Sequence, residues 1–225
     1  MSKDHAPASP GDIRDLHSAL DYLADIPGQL LTIKKPVDAC CELAGIYKKI
    51  GAGTPVVPPT RPGPAVLFEN VKGYSIPVVT GVLATRERTA LLMGSTRERL
   101  PLDLLDAVRR PVAPVTVPHG QAPCQEVIHD KDVDVMKILP VPTVTALDAG
   151  PTFCVALLYA ADPETGEEDV TIHRMCVQGP DEISVYFITG RHIDHFRAKA
   201  EKMGKPLPVS INIGLDPAIL LTSCF

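Results

Sequence analysis

Phe153-Cys154-Val155-Ala156-Leu157-Leu158-Tyr159-Ala160 and Val170-Thr171-Ile172-His173-Arg174-Met175-Cys176-Val177 are separated by Asp162-Pro163-Glu164-Thr165-Gly166. Both runs are rich in β-branched, aliphatic and aromatic residues, and the segment between them carries the Pro and Gly that turn a chain back on itself. The pair reads as a hairpin. Ser184 to Ile188 and Leu207 to Ile213 read as further strands. Between them Ile193, Phe196, Ala200 and Met203 mark one helix, ended by Gly204. An apolar segment from Asp216 follows, ending in Leu220-Leu221-Thr222-Ser223-Cys224-Phe225. This second part of the chain is a mostly antiparallel β-domain.

Upstream the texture is different. Ile13, Leu16, Leu20 and Leu23 at helical spacing place a helix over Asp12 to Asp25, ended by Pro27-Gly28 and followed by the short strand Leu30 to Ile33. A second helix is predicted from Asp38 to Ile50, then a Pro-rich loop from Thr54 to Pro64. The strands Ala65 to Phe68 and Ile76 to Val79 come next, with Lys72-Gly73 as their turn. Thr85 caps a helix to Met93, and Leu100 to Arg109 forms another. Alternating helices and strands indicate an α/β layer. Prolines at 111, 114 and 118 then punctuate short Val-rich pieces. The domain boundary falls near residues 112 to 118, giving domains 1–115 and 116–225.

The chain has 225 residues, 22 Lys plus Arg against 27 Asp plus Glu, a net charge of −5 and 45% hydrophobic residues. It is long enough to bury a core without disulfides or a structural metal. With no basic cluster it offers no surface for nucleic acid or anionic lipid, because both require Lys and Arg gathered on one face. No apolar stretch is long enough to span a bilayer and no signal peptide opens the chain, so a cytoplasmic protein is expected. Cys40, Cys41, Cys124, Cys154, Cys176 and Cys224 show no metal-binding spacing and are expected to be reduced core thiols.

The common nucleotide, zinc-protease and hydrolase signatures are absent. The densest polar groups are Asp169-Val170-Thr171-Ile172-His173-Arg174 and Gly190-Arg191-His192-Ile193-Asp194-His195. Polar residues among β-branched ones are costly in a core strand unless they are paired, so they call for a reason. Asp169 is either a surface turn acid or a metal ligand, and Arg174 is either one half of an exposed ion pair or a ligand anchor. Five residues separate the two, so in a regular strand they face opposite sides unless a turn or bulge re-aims Asp169. His192 precedes a helix and is either a plain N-terminal residue or a functional one. His192 and His195 lack the partners a zinc site needs. A carboxylate oxygen and an imidazole, completed by phosphate and water, suit Mn²⁺ or Mg²⁺. Thr222-Ser223-Cys224 carries groups suited to a phosphate or a flavin's polar edge, or is a plain helix segment.

Seven stretches are in register with one family: Leu67-Phe68-Glu69-Asn70-Val71-Lys72-Gly73-Tyr74, Arg86-Glu87-Arg88, Asp148-Ala149-Gly150-Pro151, Asp162 to Gly166, Ile172-His173-Arg174-Met175, Gly190-Arg191-His192 and Ile213-Gly214-Leu215-Asp216-Pro217-Ala218. Over nearly the whole chain they resemble the UbiD family of prenylated-FMN-dependent decarboxylases. The His-Arg-Met and Arg-His-Ile-Asp variants resemble members acting on hydroxylated aromatic acids.

The resemblance implies an α/β domain followed by a split β-barrel that binds prenylated FMN, with the phosphate held through Mn²⁺ (or Mg²⁺) and K⁺ nearby. Asp169 falls where the family has a metal-binding asparagine, and His192 on its metal-binding histidine. Arg174 falls on the catalytic arginine and also lies against the cofactor. Thr171, Ile172, His173, Arg191, Thr222, Ser223 and Cys224 line the cofactor. The implied activity is reversible, non-oxidative decarboxylation of a small aromatic acid such as protocatechuate, gallate or 4-hydroxybenzoate. A flavin prenyltransferase supplies the cofactor, and a C-terminal domain, where present, makes a homo-oligomer. In the family the third metal ligand and both catalytic glutamates lie beyond the position matching Phe225, so the chain alone is expected to be inactive. The alternative is a non-catalytic flavin-binding or scaffolding subunit of a multi-subunit carboxylase.

Overall fold

The computed structural model describes residues 9–52, 63–118 and 120–224. Helix α1 (Leu16–Ala24) opens where Asp15 Oδ1 accepts the Ser18 N–H at 2.7 Å and Ser18 Oγ accepts the Asp15 N–H at 3.1 Å. This reciprocal cap satisfies amides that a helix start leaves unpaired. Ala19 and Leu23 on its inner face are fully buried. Strand β1 (Leu30–Ile33) follows. Helix α2 (Glu42–Tyr47) is shorter than the predicted Asp38 to Ile50, because Cys41 at φ 64° lies outside helical geometry. The turns widen after Tyr47 and break at Gly51, with φ 93°.

Strand β2 (Ala65–Phe68) runs parallel to β1, pairing Leu30 with Ala65 and Ile33 with Phe68. Strand β3 (Val78–Thr80) pairs antiparallel with β2. It starts two residues later than the predicted Ile76, since Pro77 has no N–H for the ladder. Helix α3 (Arg86–Leu92) is capped by Thr85 Oγ1, and α4 (Leu100–Arg109) buries only Leu100. Arg88, in the first turn of α3, is 2% exposed. It donates to Gly81 O at 2.5 Å, to Gln29 Oε1 at 3.2 Å and to Gly63 O. A buried guanidinium is tolerated when its donors are met, and here it ties three connecting segments together.

Residues 111–118 are exposed and without regular structure. After the single turn α5 (Val135–Ile138), β4 (Thr152–Ala161) and β5 (Glu168–Val177) form the hairpin read from the sequence. Strand β6 (Ile183–Val185), helix α6 (His192–Lys202), β7 (Val209–Asn212) and α7 (Pro217–Thr222) complete the order. The second sheet runs β6-β5-β4-β7, antiparallel throughout and curled as a half-barrel. One face packs Ala156, Leu158, Met175 and Val177 against Ile193 and Phe196 of α6. The segments flanking the two sheets are joined where Tyr74 Oη donates to Met136 O of α5 at 2.6 Å and Cys41 N donates to Thr143 O at 2.8 Å.

The six cysteines form no disulfide, but they are not core residues. Cys40, Cys124, Cys154 and Cys224 are exposed, and Cys41 and Cys176 are half-buried. Cys154 sits where β4 bulges between Phe153 and Ala156, and Cys176 faces away from α6, so an apolar run does not guarantee burial in a sheet packed on one face.

Candidate functional site

Strand β5 alternates regularly, so Asp169, Thr171 and His173 share the α6 face with Met175 and Val177. Ile172, Arg174 and Cys176 occupy the opposite face. Strand β6 pairs only with Met175, Cys176 and Val177. Among the described residues β5 therefore has one open edge from Glu168 to Arg174. An elongated ligand lying along that edge reaches side chains of both faces and the backbone groups between them.

Asp169 lies within β5, opposite Ala160, and its Oδ1 accepts the Val170 N–H at 2.9 Å. Its other oxygen lies 3.5 Å from His192 Nδ1. His192 is the first residue of α6 and its side chain is 74% exposed, so helix docking rather than local packing sets its position. Ile193, Phe196 and Ala200 anchor the helix in the core. Asp194 accepts from Gly190 N at 3.1 Å and from Arg197, and Lys199 reaches the buried Asp162 at 2.6 Å. The Lys199 contact ties α6 to the β4–β5 turn. Two donors, one oxygen and one nitrogen, thus converge across 23 residues of sequence. Among the described residues no cluster of three His, Cys, Asp or Glu forms a fuller metal cage.

Thr171 Oγ1 and His173 Nε2 are hydrogen-bonded at 2.8 Å, and Phe187 meets the imidazole edge-on at 5.3 Å. Burial lowers the proton affinity of His173, opposed by the Tyr186 backbone and the Asp169 charge, which favours the neutral ring. Arg174 is exposed and has no hydrogen bond or ion pair among the described residues. Its charge acts on Cys154 and Asp148. The Asp148 carboxylate is occupied by Thr145 N at 3.0 Å, Val144 N at 3.1 Å and Thr145 Oγ1 at 2.8 Å. Those hydrogen bonds, Thr145's backbone first, hold it below the usual carboxylate range, with the Arg174 charge as a lesser cause.

The other residues singled out from sequence are dispersed. Arg191 caps α6 by position, with no side-chain cap bond. Thr222 Oγ1 donates to Ile219 O at 3.0 Å and Ser223 Oγ to Leu220 O at 2.8 Å, so both hydroxyls serve their own helix, while Cys224 is exposed. No contact joins Asp169 to Arg174, and neither the β-turn nor a bulge in β5 re-aims the carboxylate. Two shallow clefts, about 530 Å³ beside Arg99 and Asp103 and about 330 Å³ between Leu16, Pro77 and Gly214, hold none of these residues. Sequence reasoning missed Asp148 as the acid nearest in effect to Arg174. Its signal was the Asp148-Ala149-Gly150-Pro151 turn, whose acid has a fixed hydrogen-bonding role.

Residues 23–108 match the 3-octaprenyl-4-hydroxybenzoate carboxy-lyase N-terminal domain, and residues 115–225 match the Rift-related domain of the same carboxy-lyase. The chain belongs to the UbiD family. It is 40% identical over 216 residues to gallate decarboxylase of Lactiplantibacillus plantarum, covering 94% of this chain and 44% of that protein. The apo 3,4-dihydroxybenzoic acid decarboxylase of Enterobacter cloacae is similar at TM-score 0.89 and 52% identity, over 95% of this chain and 45% of that one. An evolved dimeric HmfF from Pelotomaculum thermopropionicum, in complex with prFMN, is similar at TM-score 0.85 and 38% identity, over 93% and 46% of the two chains. The chain thus spans under half the length of these relatives. Among the described residues no helix is long and apolar enough to cross a membrane.

Proposed function

We propose that this chain carries the cofactor- and carboxylate-binding residues of a reversible, non-oxidative decarboxylase of hydroxyaryl acids that uses prenylated FMN. The observation that carries the reading is Arg174, an exposed and unpaired guanidinium on β5 in a fold shared at 52% identity with a dihydroxybenzoic acid decarboxylase. A planar guanidinium binds a carboxylate through two parallel hydrogen bonds, which orients as well as attracts it.

The residues present suit the cofactor. Asp169 Oδ2 and His192 Nδ1, 3.5 Å apart, are hard and borderline donors that would hold Mn²⁺ or Mg²⁺, which would supply positive charge for a phosphate. The amides at the start of α6 favour the same anion. Aspartate in place of the asparagine the family resemblance implies adds a negative charge, which a bound cation would offset. From Asp169 to Arg174 is five strand residues, about 17 Å, a span that calls for a long ligand. The bound cofactor supplies an electron sink for the pair left when CO₂ departs. Arg174 holds the substrate carboxylate, the neutral His173 keeps one ring nitrogen on Thr171, and the β5 edge offers backbone groups to the cofactor. Asp148 is ionised at neutral pH and cannot deliver the proton that replaces CO₂.

The same reading takes 1–115 and 116–225 as two domains, adds K⁺ near the phosphate, and draws the cofactor from a flavin prenyltransferase in the cytoplasm. It also expects a homo-oligomer in the longer form the relatives take.

The test is purification from cells co-expressing a flavin prenyltransferase. The chain is expected to retain a flavin chromophore whose absorbance shifts on adding 3,4-dihydroxybenzoate or gallate, with no CO₂ released. Failure to retain flavin, or an equal shift in Arg174→Ala, overturns the reading. Sustained CO₂ release would show that a proton donor exists within the 225 residues.

A further inference from the structure

Cys40 and Cys41 are adjacent in sequence, and their sulfurs lie 3.8 Å apart. Cys40 is exposed and Cys41 half-buried, so a small reagent reaches the pair. A disulfide holds its sulfurs at about 2.05 Å, and closing that gap between neighbours takes side-chain rotation together with a twist of the intervening backbone. These two residues also join the segment before α2 to the segment before β4. Cys40 forms a parallel bridge with Thr143, and Cys41 N donates to Thr143 O at 2.8 Å. Cys40 N is held in turn by Asp38 Oδ1 at 2.8 Å. At φ 64° and ψ −34°, Cys41 occupies a backbone region that residues with side chains adopt rarely. The junction is therefore strained as it stands.

We propose that Cys40 and Cys41 are a redox modification site, in which a low-molecular-weight disulfide oxidises the two thiols to a vicinal disulfide and loosens the Cys41–Thr143 junction. Cys40, the more exposed, attacks one sulfur of the oxidant as the thiolate. A mixed disulfide forms and one small thiol leaves. The Cys41 thiolate then attacks the Cys40 sulfur, and the second small thiol leaves. Two electrons and two protons pass from the cysteines to the oxidant, whose S–S bond breaks as the protein's forms.

Hydrogen bonding with Cys40, then desolvation and the nearby charges of Cys40, Asp148 and Asp38, push the Cys41 thiol up from its ordinary range. Formation of the mixed disulfide removes the first of these causes and frees Cys41 to act. Neighbouring Cα atoms are about 3.8 Å apart, closer than in most bridged pairs, so the product is readily reduced. That suits a reversible modification and not a structural staple. The inference does not depend on the function proposed above.

Treating the chain with glutathione disulfide is expected to yield a peptide containing both residues that is lighter by two hydrogen atoms, carries no glutathione and is restored by dithiothreitol. Exchange of the Cys41 amide with deuterium is expected to accelerate about tenfold as its bond to Thr143 loosens. In Cys40→Ser the bridge is lost and Cys41 stays open to alkylation. A lasting glutathione adduct, a bridge to another cysteine or two thiols still free after oxidation would overturn the site. Unchanged protection of the Cys41 amide in the bridged form would overturn its coupling to Thr143.

Discussion

Arg88 in the first sheet's layer and Arg174 in the second sheet are the same side chain in opposite surroundings. Arg88 is 2% exposed and its donors meet Gly81, Gln29 and Gly63. Burial pushes its proton affinity down, and the surrounding acceptors repay the desolvation. Arg174 is exposed on a strand with an open edge and has no acceptor among the described residues. A cation whose hydrogen bonds are all internal belongs to the framework. A cation left without one is available to an anion from solution. The contrast separates a part of the molecule built to hold itself together from a part that, under the proposed function, holds a carboxylate.

The largest effect is expected from Arg88→Ala, which strips donors from buried acceptors at three segments. We expect a loss of about 4 kcal/mol in folding free energy, measured by urea denaturation. Arg174→Ala should change the same measurement by less than about 0.5 kcal/mol. Equal losses in the two variants would break the comparison.

Next come Asp169→Ala and His192→Ala, each expected to weaken Mn²⁺ binding on the order of 100-fold, read by the electron paramagnetic resonance of free Mn²⁺. Undiminished binding in both would remove the metal from this edge of β5. Arg174→Ala is expected to weaken binding of 3,4-dihydroxybenzoate to the flavin-loaded chain about 10- to 100-fold, followed by calorimetry. The loss should be absent for catechol, which has no carboxylate.

The smallest effect concerns Asp162, whose carboxyl is held below its ordinary range by Lys199 first, then by the Glu164 and Thr165 amides. A depressed carboxyl contributes stability that is present above its unfolded value and lost as the pH falls through the folded one. Asp162→Asn should therefore be less stable than the parent at neutral pH, with the difference closing below about pH 4. Lys199 is raised by the same pair, so its contribution persists through neutral pH and is lost only as the pH rises past the ordinary lysine range. A difference unchanged at acid pH would deny the pair its part in docking α6.

Much of the second sheet was legible because its signals are local. The turn Asp162 to Gly166 and the β-rich runs on either side specify a hairpin without reference to the rest of the chain, and β4 and β5 extend it by only a residue or two. The core face of α6 was equally plain from its spacing. The ends of α2 and β3 were not, because a positive φ at Cys41 and the missing amide of Pro77 act at single residues inside otherwise regular patterns. Burial of Cys154 and Cys176 was misread for another reason: an apolar strand has two faces, and only one is packed against α6.

Charge pairing was the least legible. Asp169 and His192 meet only because α6 docks across the hairpin, and nothing near either residue encodes that distance. Arg88 reads as one charge of Arg86-Glu87-Arg88 at a helix start, and its burial follows from where the parallel pairing of β1 and β2 brings Gln29 and Gly63. Elements, their order and the residues able to do chemistry follow from propensities and turns that act over a few neighbours. Which of those residues lose water, find a partner or stay free depends on contacts between segments far apart in the chain, and that separation makes Arg88 a structural residue and leaves Arg174 open to a ligand.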